Sequence, residues 1–192
     1  MEIRTYSALV VSSSEKFNSS LSLVFSHGYY EQPVFASNIN EAKRYMINRD
    51  YDFIMINSPL PDDIGTRFAC DCVINTDSVV LIFLKSDSYD GLHEKLKGSG
   101  VLTLRKPTSL PIVEQSVDFM CALRERIRTV RKRSLNVEEK MKEIRLVNRA
   151  KWLLIDKLKM TEPDAHRYIE KQAMDRCVSK SEISENIIST YE

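Results

Sequence analysis

Asp52-Phe53-Ile54-Met55-Ile56-Asn57-Ser58-Pro59-Leu60-Pro61-Asp62-Asp63-Ile64-Gly65 is the stretch that decides the fold. The apolar run 53–56 has no polar face, the pattern of a strand covered on both sides, and the Pro- and Gly-containing segment behind it ends the strand in a loop. Outward from it, residues 8–11, 79–84 and 101–104 repeat the short, Val- and Ile-rich pattern, and 34–36 supplies a further short strand. Between them apolar residues fall at helical spacing, as in Phe17, Leu21, Leu23 and Val24, then Ala42, Tyr45 and Met46. Strand and helix alternate at intervals of about 25 residues, which favours parallel strands with helical crossovers. Five strands in about 110 residues is the size and order of a flavodoxin-like α/β domain, whose ligands bind beyond the carboxyl ends of the strands.

The chain has 192 residues, 43% of them hydrophobic, and a net charge of +1 from 28 Lys+Arg against 27 Asp+Glu. That balance argues against a disordered polyelectrolyte. No run approaches the roughly 18 consecutive apolar residues of a membrane helix, and MEIRTYSALVVSS lacks the long apolar core of a signal peptide. A soluble, cytoplasmic protein with no membrane partner is therefore expected. Cys70, Cys72, Cys121 and Cys177 have neither disulfide-framework nor zinc-ligand spacing and are expected to be reduced thiols, and no metal or other cofactor is implied. With three scattered His, no Gly-rich phosphate loop and no nucleophile–base pair, no catalytic residue can be assigned and an enzyme is the least expected class. The neutrality is an average. Residues 1–120 hold 11 Lys+Arg against 15 Asp+Glu, and residues 121–192 hold 17 against 12, so the two parts are expected to do different work.

The strand ends resemble the receiver domain of bacterial response regulators over residues 6–120. Residues 52–65, with Pro61 and Gly65 at the family's offsets, look like the phosphoacceptor strand and its loop, and Arg105-Lys106-Pro107 looks like the end of the fifth strand. The resemblance implies phosphoryl transfer to an aspartate. Mg²⁺ would be held by that Asp and an acidic pair after the first strand, because a hard cation needs anionic oxygen ligands. Here Asn57 stands at the acceptor position and Ser12-Ser13-Ser14 at the acidic pair. Phe83 or Leu84 replaces the hydroxyl residue ending the fourth strand, and only Lys106 is kept. An amide is a poor nucleophile, so Ser12, Ser13, Asn57, Phe83 and Lys106 are expected to form a degenerate phosphoacceptor pocket in a pseudo-receiver over residues 1–110. In that pocket Lys106 is expected to hydrogen-bond Asn57 or neighbouring carbonyls. Asp62 and Asp63 read as a solvated turn rather than as substitute acceptors.

After Pro111 the chain has no Gly, and Pro recurs only at 163. Val113, Ser116, Met120, Leu123, Ile127, Val130, Ser134, Val137, Met141, Ile144 and Asn148 alternate spacings of three and four, as a coiled-coil seam requires. A long helix of this kind cannot bury its stripe against so small a receiver alone. Residues 111–146 are therefore expected to form a dimerisation helix with Met120, Leu123, Ile127, Val130, Val137, Met141 and Ile144 on the seam; a helix hairpin within one chain is the alternative. The basic run Arg124, Arg126, Arg128, Arg131, Lys132 and Arg133 is expected to be a solvated face rather than a nucleic-acid contact.

Thr161-Glu162-Pro163-Asp164 and Ser179-Lys180-Ser181-Glu182 carry helix-start signatures, placing helices at roughly 162–177 and 180–190 after the long helix ends near 158. Ala165, Ile169, Ala173 and Met174 are expected to share a small core with Leu153, Leu154, Ile183, Ile187 and Ile188. Ala150-Lys151-Trp152-Leu153-Leu154, Thr161-Glu162, Ala165, Ala173-Met174-Asp175-Arg176 and Ile183 to Ile188 resemble the ANTAR domain, the RNA-binding module of AmiR- and NasR-type antiterminators, which would make residues 147–192 an all-α three-helix module. Trp152 and Lys159 depart from the pattern, standing where the family often has Gly.

The resemblance implies a dimer that binds paired hairpins in leader mRNA, so that an overlapping terminator cannot form. Such a site needs cations for the phosphates, and planar or small side chains near unstacked bases. Arg149, Lys151, Lys157, Arg167, Lys171 and Arg176 are the candidate cations, His166 and Tyr168 the stacking candidates, and Ala150 a point of close approach. A DNA-binding transcription factor and a protein-binding scaffold are the alternatives. The tail has no short Gly-containing turn before a recognition helix, which speaks against the first. In place of phosphorylation, the switching signal could come from a regulatory protein partner, a small ligand at the degenerate pocket, or the dimer equilibrium.

Overall fold

The computed structural model describes residues 5–26 and 29–192. The elements run β1 (Ala8–Val11), α1 (Glu15–Val24), β2 (Val34–Ala36), α2 (Ile39–Asn48), β3 (Phe53–Asn57), α3 (Thr66–Asn75), β4 (Val79–Lys85), α4 (Ser86–Gly98), β5 (Leu102–Lys106), α5 (Leu110–Leu158), α6 (Glu162–Arg176) and α7 (Lys180–Tyr191). The chain divides into two compact units, Met1–Arg128 and Thr129–Glu192, with residues of α5 in each.

In the first unit the strands form one parallel sheet in the order β2-β1-β3-β4-β5, the flavodoxin-like arrangement expected from the alternation. Because successive side chains of a strand point to opposite faces, β3 divides its apolar run between two cores. Ile54 and Ile56 pack with Ala42 of α2, Phe68, Ala69 and Cys72 of α3 and Leu96 of α4, whereas Phe53 and Met55 pack with Leu21 and Val24 of α1 and Val113, Val117 and Met120 of α5. This double cover is why the strands read as unbroken apolar runs. The α3 helix begins at Gly65, whose φ of 85° lies in the left-handed region; a Cβ there would come within 3.0 Å of Ile56 Cγ2, so the turn after β3 requires glycine.

In the second unit Ala150 and Leu154 of α5, Ala165, Ile169 and Ala173 of α6, and Ile183 and Ile187 of α7 form a buried core, with Leu153 and Ile188 at its edge. Both helix starts are capped as their sequences require: Thr161 Oγ1 accepts the Asp164 amide at 3.3 Å and Ser179 Oγ accepts the Glu182 amide at 3.1 Å.

Several placements differ from the sequence expectations. Met174 is 77% exposed, because it lies one residue past Ala173 and so about 100° around the helix from the buried Ala165–Ile169–Ala173 row. Leu23 is likewise exposed. Met120 and Val113, placed on the dimer seam by their spacing, are buried in the first unit, and Ile127 packs partly against the same core. A core-facing stripe and a coiled-coil seam share their spacing, and here the sheet face takes this portion of α5. Leu123, Val130, Val137, Met141 and Ile144 remain exposed.

Candidate functional site

The carboxyl ends of β1, β3 and β5 bring Ser12, Asn57 and Lys106 together. Lys106 Nζ donates to Asn57 Oδ1 at 2.7 Å and also to the Ser58 carbonyl; Asn57 Nδ2 donates to Ser12 Oγ at 3.0 Å, and Ser12 Oγ also accepts the Ser14 amide at 3.2 Å. The polar groups of the pocket thus satisfy one another. Burial pushes the Lys106 ammonium below its ordinary pKa, and Lys85, its neighbour across the β4–β5 pair, pushes the same way. Ser13 is exposed and outside this chain of hydrogen bonds. Phe83 pairs with Asn57 in the strand register, but its ring is buried and meets Phe17 edge-on at 4.9 Å, so it fills the core beneath the pocket rather than lining it. The two acids of the β3–α3 loop have structural partners: Asp62 Oδ2 accepts the Ile39 amide at the start of α2 at 3.0 Å, and Asp63 Oδ1 accepts the Gly65 amide at 2.6 Å.

At the amino end of β3, a second polar cluster escaped the sequence reading. The carboxylate of Asp52 accepts from Arg124 Nε at 2.7 Å, Arg128 Nη2 at 2.6 Å and the Ser7 amide at 3.1 Å. Arg124 Nη1 also donates to the Asp77 carbonyl at 2.7 Å, and Arg128 Nη1 to Glu125 Oε1 at 2.5 Å. Burial alone would raise the Asp52 pKa, but the hydrogen bonds from Arg124 and Ser7 and the charges of both arginines outweigh it and hold the group below its ordinary value. Arg124 and Arg128 are therefore structural residues and not part of a solvated basic face. A carboxylate directly before a fully apolar strand was the available signal, since a buried charge requires a partner.

The residues read as RNA-facing fall into three groups. Ala150 is fully buried in the core of the second unit, so its small side chain serves helix packing and not close approach by a ligand. Arg149 pairs with Glu192, Lys151 with Glu162 at 2.8 Å, Lys157 with Asp156 at 3.4 Å, His166 with Glu170 at 3.4 Å and Arg167 with Asp164 at 3.2 Å. The Lys151 hydrogen bond and charge hold Glu162 below the usual carboxylate pKa. Lys171 and Arg176 are exposed and, among the described residues, form no ion pair. Tyr168 is partly exposed, whereas Trp152 is far more so.

Residues 135–188 match the ANTAR domain, and the first unit has the fold of receiver domains. The chain is 26% identical over 140 residues to the transcriptional regulatory protein PdtaR of Mycobacterium tuberculosis (strain H37Rv), a match covering 72% of this chain and 68% of that protein. The receiver domain of an HD domain-containing protein from Pseudomonas fluorescens Pf-5 superposes with a TM-score of 0.58 at 20% identity, over 68% of this chain and 94% of that one. The beryllofluoride-activated NtrC4 receiver domain dimer gives a TM-score of 0.54 at 26% identity, over 63% of this chain and 98% of that one. Among the described residues, no helix is long and apolar enough to cross a membrane.

Proposed function

We propose that the protein is an RNA-binding transcription antitermination regulator that acts as a dimer on paired hairpins in leader mRNA, with a receiver that takes no phosphoryl group. The ANTAR domain carries the reading. Its apolar rows are spent on an internal core, while Lys171 and Arg176 point to solvent without ion-pair partners, available to phosphates. The exposed residues Val130, Val137, Met141 and Ile144, at heptad and near-heptad spacing, support a two-stranded seam between copies. The closed Lys106–Asn57–Ser12 chain supports a receiver controlled by a partner or by concentration, since it offers neither a carboxylate acceptor nor an anionic ligand set for Mg²⁺.

The test is competition. The leader transcript of the protein's own operon, carrying two hairpins, is expected to bind and to resist duplex DNA competitor, with affinity falling as salt rises. Equal competition by duplex DNA would support a DNA-binding regulator instead, and no RNA affinity at any salt concentration would leave a protein-binding scaffold.

A further inference from the structure

The most exposed large aromatic side chain of the second unit has no role in the scheme above. Trp152 is 72% exposed, although α5 buries Ala150 and Leu154 on either side of it in the sequence. It lines a hollow of about 520 Å³ together with Arg149, Leu153, Ile155, Asp156, Lys159 and Glu192. Arg149, Trp152 and Asp156 recur at steps of three and four along one side of the end of α5, and Lys159 follows directly after the helix. Lys159 has a φ of 56°, a left-handed conformation that a residue with a side chain rarely adopts. It is the conformation common just past a helix C-terminus, and Cys177 adopts it after α6 with a φ of 53°. Among the described residues Lys159 makes no ion pair, whereas Arg149 is held in place by Glu192.

We infer that Trp152 is a stacking platform for an unpaired nucleobase of the bound RNA, with the unpaired Lys159 beside it for the adjoining phosphate. This rests on the RNA-binding reading above and adds a site to it. An exposed indole offers a flat apolar face of the kind on which bases stack, and a free cation beside it matches the charge of the strand that carries the base. Asp156 on the rim accepts hydrogen bonds, which suits a base edge bearing N–H donors. Neither His166, which is paired to Glu170, nor the less exposed Tyr168 combines these properties.

Trp152 is the only tryptophan of the chain, so its fluorescence reports on this site alone. The 192-residue chain is titrated with dye-labelled leader RNA, reading anisotropy and tryptophan emission together. Emission is expected to be quenched in parallel with binding, and an RNA with abasic hairpin loops to lose the quench. Trp152→Ala is expected to weaken binding about tenfold with unchanged circular dichroism, while Trp152→Phe stays within about threefold of wild type. RNA binding with unchanged emission, together with a Trp152→Ala variant that binds as wild type, would overturn the inference and leave the RNA-binding reading intact. Emission that changes with protein concentration in the absence of RNA, with Trp152→Ala shifting dimer to monomer, would assign the indole to a contact between copies and equally overturn it. Absence of any RNA binding by the wild type would refute both readings.

Discussion

Arg124, on the fifth helix, donates from Nε to Oδ1 of Asp52, the residue before the third strand, at 2.7 Å, and both side chains are largely buried. Removing one member of a buried pair leaves the other charged and unpartnered, which costs about 3–5 kcal/mol. Arg128 still reaches Asp52 in an Arg124→Ala variant, so a loss of about 2–3 kcal/mol is expected there, and the full figure for Asp52→Ala, which leaves Arg124 with no carboxylate while Arg128 keeps Glu125. Urea unfolding of the receiver signal measures both. A change of less than about 0.5 kcal/mol would class the pair with exposed ion pairs.

The same carboxylate gives a pH dependence. Its pKa in the folded protein lies below its ordinary value, so in acid the unfolded chain binds more protons at this site than the folded one. The stabilisation is complete above the unfolded pKa of about 3.9 and is lost as pH falls through the folded value. Wild type and Arg124→Ala should therefore differ in urea midpoint at neutral pH, by an amount that begins to shrink as pH falls below about 4. A difference that held constant through that range would show that the stabilisation does not depend on the charge of Asp52.

These contacts show what the sequence could and could not convey. The sheet was legible because each buried strand carries its own signal, as in Phe53–Asn57, and the meeting of Asn57 with Lys106 because both end strands of one parallel sheet. The Asp52–Arg124 pair joins residues 72 positions apart, and no local periodicity encodes a tertiary partner. Met120 was misplaced for a related reason: three-four spacing states that a helix has an apolar face but not what covers it.

That ambiguity separates two variants of one helix. Met120→Ala removes a fully buried side chain and is expected to destabilise the receiver by about 2–4 kcal/mol while leaving the association of folded chains unchanged. Ile144→Glu alters a residue 53% exposed in the single chain, so it should leave stability within about 0.5 kcal/mol and yet place like charges on the proposed seam. Sedimentation at several concentrations should show a shift toward monomer for Ile144→Glu only. Unchanged association in Ile144→Glu would move the dimer contact elsewhere.

The pocket makes a chemical prediction. Incubation with a small phosphodonor and Mg²⁺ should give no phosphoryl adduct by mass, because the acceptor position holds an amide already bonded to Lys106 and Ser12. Asn57→Asp alone should remain unmodified as well. It restores one carboxylate, but Ser12 and Ser13 still provide no anionic ligand for the cation. A stoichiometric adduct on the wild-type protein would refute the pseudo-receiver.

Among the cations of the second unit, the ion pairs themselves predict which substitutions separate binding from folding. Lys171 and Arg176 are exposed and form no ion pair among the described residues, so replacing either by Ala should leave circular dichroism and thermal midpoint unchanged. Each phosphate contact so lost should lower the slope of log affinity against log salt by about 0.7–0.9. Lys151 is a less clean probe, because its ammonium reaches Glu162 in the first turn of α6 at 2.8 Å and its side chain is mostly buried. Lys151→Ala should therefore weaken RNA binding and slightly lower the thermal midpoint, whereas Lys151→Arg should recover the midpoint more fully than the affinity if Lys151 touches RNA. If both recover together, Lys151 acts only by holding α6, and the phosphate contacts must be sought at Lys171 and Arg176.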